Sequence, residues 1–147
     1  MTGYAAFTTS LRRSTFVGAF LATAVIAGAA AAHAEGCLNV RTVSGKVSCL
    51  VQTGGIYCAA GNAGGFQDAP ADAQGDTYLA TVTPDGNFQW IRAGGTGSCG
   101  NVPYVLEYGV TQNINNWVVQ SSQNGTRFTN ANSGRGMFVS VENVSWF

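Results

Sequence analysis

An all-β fold is predicted for this chain: a small antiparallel sandwich or barrel built from hairpins, behind a cleaved helical signal peptide. Three observations predict it. Apolar residues recur at spacing two along short runs, turn residues separate those runs, and no segment after Ala34 carries a convincing 3.6-residue apolar period. The pattern is clearest near the carboxy terminus. Phe128 lies in one run and Met137, Val139 and Val141 in the next, with an Asn-, Ser- and Gly-rich turn over 130–136 between them.

The amino terminus is read first as an address. Arg12 and Arg13 precede an uncharged run over 16–32 dominated by Ala, Val, Leu and Phe, and Ala32-His33-Ala34 is a small-x-small site. A basic start, an apolar middle and such a site make a secretory signal peptide, with cleavage after Ala34. The apolar run falls short of the ~20 residues that a spanning helix needs, so no stable membrane insertion is expected after cleavage. Ser14 and Thr15 directly after the arginine pair favour the general secretory route over twin-arginine export, and Glu35 spoils a lipidation motif before Cys37. The chain therefore divides into a signal peptide, 1–34, and a single disulfide-bonded β domain, 35–147.

The whole chain of 147 residues has a formal net charge of +0, but the domain after residue 34 keeps five basic residues against seven acids, a net charge of −2. A sparsely charged, weakly acidic domain has no electrostatic footprint for nucleic acid. Cys37, Cys49, Cys58 and Cys99 all lie in it. An even count in an oxidising compartment predicts two disulfides, with the three pairings left open. No Cys-x-x-Cys and no histidine after His33 are present, so neither zinc nor another metal is expected, and no cofactor.

Taken in order, residues 37–58 read as a three-stranded meander. Gly54-Gly55 reads as its second turn, which makes Cys49 and Cys58 diagonal neighbours. Residues 59–76 form a long loop that Phe66 pins to the core. Asp68, Asp72 and Asp76 in that loop lack the alternation of a calcium loop and read as solvated. Thr77 to Arg92 is a hairpin around Thr83-Pro84-Asp85-Gly86. Residues 93–100 are a glycine-rich loop in which a bridge from Cys99 would fasten to the first block. Residues 102–111 read as one strand with Pro103 at its start. Asn113 to Asn116 turns the chain, and Trp117 opens a strand ending at Asn124-Gly125, read as a two-residue turn. Broken alternation after Val141 predicts a bulge or bend near Asn143.

Chemistry is sparse. Without histidine there is no Ser-His-Asp or Cys-His catalysis, and bridged cysteines leave no thiol nucleophile. Glu107 and Glu142, both read on strands, are the carboxylates a glycoside hydrolase would need. Aromatic residues are the better lead: Trp90, Trp117, Trp146, Tyr104 and Tyr108. Asn113, Asn115 and Asn116 precede Trp117, and amides beside an indole suit a sugar ring or a partner protein. A core role for the same tryptophan is the competing reading. If Trp117 is buried, the surface built around it falls.

The alanine-rich leader, Ser44-Gly45-Lys46-Val47-Ser48-Cys49, and the ending over 125–130 and 136–144 resemble small secreted proteins of mycobacteria and related actinobacteria. The resemblance spans most of the domain and implies secretion; it carries no activity and no site residue. The expectation is a secreted, non-catalytic binding or structural protein of the cell envelope or extracellular space, recognising a glycan or a protein. The alternatives are an enzyme inhibitor baited by residues 93–100, and a carboxylate hydrolase.

Overall fold

Alternation writes the strands, and the computed structural model describes them over residues 36–71 and 77–147. The segment read as a signal peptide, with Asp72 and Asp76, lies outside these residues. Strands β1 (Cys37–Thr42), β2 (Val47–Gln52), β3 (Gly55–Ala60), β4 (Tyr78–Val82), β5 (Phe88–Arg92) and β6 (Tyr104–Leu106) form one sheet. Its order is β5-β4-β3-β2-β1-β6. A second sheet has the order β11-β10-β9-β8-β7. It is built from β7 (Thr111–Ile114), β8 (Trp117–Ser122), β9 (Gly125–Asn130), β10 (Gly136–Val139) and β11 (Val144–Trp146). Neighbours pair antiparallel except β1 and β6, which run parallel. The sheets do not close into a barrel, so each keeps two edges, β5 and β6 in one and β11 and β7 in the other.

The inner faces share one core. Leu38, Val40, Val47, Val51 and Ile56 from the first sheet join Trp117, Val119, Phe128, Met137 and Val139 from the second. Each such burial contributes about 1.5–3 kcal/mol before entropy is counted. Polar residues on these faces are paired: Ser121 and Thr126 hydroxyls lie 3.3 Å apart, and Asn130 Oδ1 accepts the backbone N–H groups of Asn132 and Ser133. The expected role of Phe66 holds, since its buried ring docks the loop after β3. Asp68 has a structural task there, accepting the Val144 N–H at 2.8 Å.

Two turns differ from expectation in the same way. Gln52 pairs with Gly55 and Ser122 pairs with Gly125, so each hairpin turns at the two residues before the glycine, Thr53-Gly54 and Gln123-Asn124. Both glycines belong to strands because a neighbouring strand crowds them. A Cβ on Gly55 would stand 2.9 Å from the Val82 carbonyl oxygen, and one on Gly125 would stand 2.8 Å from that of Val139. The shift places Cys49 directly opposite Cys58, with Cα atoms 4.1 Å apart, and not diagonal to it. Cys37 bridges Cys99 and ties residues 93–100 to the first strand, over the outer face of its sheet, where Leu50 lies 3.6 Å from the Gly97 Cβ position.

The run over 102–111 is also corrected. It is two short strands on different sheets, β6 and β7, joined by a turn closed by Val110 N–H on the Glu107 carbonyl and Gly109 N–H on the Ser121 carbonyl. Glu107 therefore sits in a turn, as does Glu142, where the chain reverses between β10 and β11 with Ser140 N–H on the Asn143 carbonyl. Both had been expected on strands.

Candidate functional site

The turn that sequence reasoning favoured is a tight one. Asn115 and Asn116 have φ of 48° and 70°, and two positive φ values define the hairpin turn whose twist matches its strands. Asparagine tolerates that geometry better than most side chains. Because the turn spans two residues, position 117 is already in β8. The Trp117 side chain is 0% exposed, its indole N–H donating to the Gln52 carbonyl at 2.9 Å. The expectation of Trp117 as a surface anchor is therefore corrected: its face is spent in the core and cannot meet a ligand.

The three asparagines separate. Asn113 is exposed and Asn115 half-buried, its Nδ2 donating to the Val51 carbonyl at 2.8 Å. Together with Leu38, Tyr104, Gln112 and Ile114 they line a groove of about 160 Å³. Asn116 opens instead on a shallow concavity at the end of the sandwich, beside Pro84, Asp85 and Asn132.

The groove runs between the edge strands β6 and β7. Its composition keeps the chemistry that was expected, an aromatic ring beside amides, with Tyr104 standing where Trp117 had been placed. Tyr104 is 43% exposed, and Val102 before β6 and Val110 before β7 are 89% and 45% exposed. Glu107 is the sole charged residue between Gly100 and Ser122. Gln112 and Ile114 had not been singled out. Tyr108-Gly109, a turn signal inside the run read as one strand, could have revealed them, because splitting the run creates the edge they occupy.

The opposite side of the sandwich carries a second aromatic surface. Phe88 of edge strand β5 stacks on Trp146 of edge strand β11 at 4.3 Å and 3° between planes, and Trp90 meets Phe88 edge-on at 5.3 Å. Trp146 remains 57% exposed.

The other expectations gain no constellation. Glu142 lines a recess of about 70 Å³ with Lys46, Tyr108 and Asn124, and Glu107 does not line it. Residues 93–98 read Ala-Gly-Gly-Thr-Gly-Ser and offer no large side chain as bait. The loop is held down by Cys99 N–H on Asn39 Oδ1 at 2.8 Å as well as by its disulfide.

These features define a two-sheet β protein stapled by two disulfides, which belongs in an oxidising compartment. Comparison with protein-family models, with curated proteins and with solved structures finds no match.

Proposed function

We propose that this is a secreted, non-catalytic binding protein of the cell envelope or extracellular space, and that it recognises a polypeptide partner through the β6–β7 side of the sandwich. The observation that carries the reading is an uncharged groove in which Tyr104, 43% exposed, lies beside Asn113, Ile114 and Asn115. Interface centres are depleted in charge and enriched in tyrosine. The groove is smaller than the ~300 Å³ at which small-molecule pockets begin, and suits one side chain of a larger partner. The amino-terminal leader and the resemblance to small secreted actinobacterial proteins support export.

Immobilised domain 35–147 should retain a discrete protein from envelope extract. Ile91→Ala, on the far edge strand β5, should retain it equally, and Tyr104→Ala should lose it. Undiminished capture by Tyr104→Ala contradicts the assignment of the surface.

A second reading rests on Trp146. Its ring lies flat on Phe88, which makes a rigid platform of the kind that receives the apolar face of a sugar. Titration with soluble envelope oligosaccharides should then change tryptophan fluorescence in the wild type and not in Trp146→Ala. Identical responses from both proteins would remove this reading.

A further inference from the structure

The two sheets contain the same five-stranded meander. β1–β5 and β7–β11 follow one another in order, each strand beside the next. The correspondence reaches single atoms. Gly55 approaches the carbonyl of Val82 as Gly125 approaches that of Val139. Gly61 N–H bonds the Lys46 carbonyl at 2.7 Å as Ala131 N–H bonds that of Asn116 at 2.9 Å. In this correspondence Val47 matches Trp117 and Leu50 matches Gln120. Their partners match in turn: Asn39 with Thr111, Val40 with Gln112 and Arg41 with Asn113.

The meanders differ at their first strands. β1 is covered, because β6 pairs parallel with it over Val40 to Thr42. Just before that pairing, the Asn101 amide grips Asn39 as a strand residue would. Its Oδ1 accepts the Asn39 N–H at 2.9 Å and its Nδ2 donates to the Asn39 carbonyl at 3.2 Å. β7 has no such cover among the described residues, and β8 is its one strand neighbour. In a two-residue hairpin the residues flanking the turn exchange both backbone bonds, so Ile114 and Gln112 bond β8, while the N–H and C=O of Asn113 and Thr111 point outward. Open edges are commonly guarded by charge, proline or a bulge. Thr-Gln-Asn-Ile has neither charge nor proline, and its register with β8 is unbroken.

The groove is lined from both edges, by Tyr104 of β6 and by Gln112, Asn113 and Ile114 of β7. We infer that the β7 edge takes an extended segment of a partner polypeptide as that sixth strand, parallel to β7, as β6 is parallel to β1. This rests on the polypeptide reading above and specifies its mode. β6 also indicates the chemistry of the guest. Leu106 of β6 is buried where it pairs beside Thr42, so the incoming strand should present an aliphatic side chain beside Ile114, the match of Thr42. Backbone bonds would supply affinity and the groove would supply selectivity.

The test uses random peptides of strand length displayed on phage, panned against the folded domain, with Asn113→Ala and Asn113→Pro as variants. Proline removes the outward N–H and is tolerated on an edge strand, whereas alanine removes the side chain and keeps the donor. Enriched peptides should carry an aliphatic residue at one fixed position and bind Asn113→Pro at least about tenfold more weakly than Asn113→Ala. Amide exchange at Thr111 and Asn113 in the wild type should slow when the peptide is added, a readout that does not depend on the proline variant folding. Failure to enrich any peptide, or enrichment of peptides that leave both amides unprotected, overturns strand addition. So does a concentration-dependent dimer that protects those amides without peptide, because a second copy is then the guest. If Tyr104→Ala loses the envelope partner while Asn113→Pro keeps it, strand addition fails and the polypeptide reading stands. If both variants keep the partner, both fail.

Discussion

Trp117 shows how a side chain's role is decided by one position of turn length. Alternation through Val119 and Ser121 marked an inward face, and the cluster of asparagines before it marked a loop. Which of the two owned Trp117 depended on whether the turn spanned two residues or four, and the positive φ values at Asn115 and Asn116 settle it as two. The consequence is measurable by urea unfolding. Trp117→Ala should destabilise the domain by about 3–5 kcal/mol through the cavity it leaves. Trp117→Phe should cost less from volume and should lose the indole hydrogen bond to the Gln52 carbonyl, about 0.5–1.5 kcal/mol. A neutral Trp117→Ala would place the indole outside the core. Gly55 and Gly125 belong to the same lesson. Both look like turn residues in sequence, and both are strand residues because of a carbonyl on a strand distant in sequence.

Strands and their staples were largely legible. The three-stranded opening meander, the hairpin around Pro84 and the closing hairpin all follow from alternation and turn chemistry. The run over 102–111 was not, because Val102, Tyr104 and Leu106 alternate well enough to hide that the chain changes sheet at Tyr108-Gly109. That change of sheet produces the groove, so the candidate surface was unreadable for the same reason. Disulfide pairing also awaited the register. Cys37–Cys99 closes a sequence separation of 62 and Cys49–Cys58 one of 9. Loop entropy then gives the long bridge about 4 kcal/mol and the short one about 2.5 kcal/mol. Replacing Cys37 and Cys99 together by alanine should lower the urea midpoint more than replacing Cys49 and Cys58. It should also free residues 93–101 to proteolysis, whereas the reverse order would mean that native packing, not loop closure, sets the contribution of each bridge.

At the scale of the whole molecule, two matching meanders pack face to face and are unequal at one edge. On one side Phe88 and Trp146 close the gap between β5 and β11. On the other, β6 covers β1 while β7 stays open, and half-exposed Tyr104 lines the groove between them. Hydrogen exchange resolved to single amides reads that inequality directly in the free protein. Asn39 and Thr111 hold matching positions, with the Asn39 N–H bonded to Asn101 Oδ1 and the Thr111 N–H facing outward. Exchange should be slow at Asn39 and fast at Thr111 and Asn113, with Gln112 and Ile114 slow between and beside them. Slow exchange at Thr111 and Asn113 in the free monomer would show the β7 edge already covered and would contradict the binding surface assigned to it.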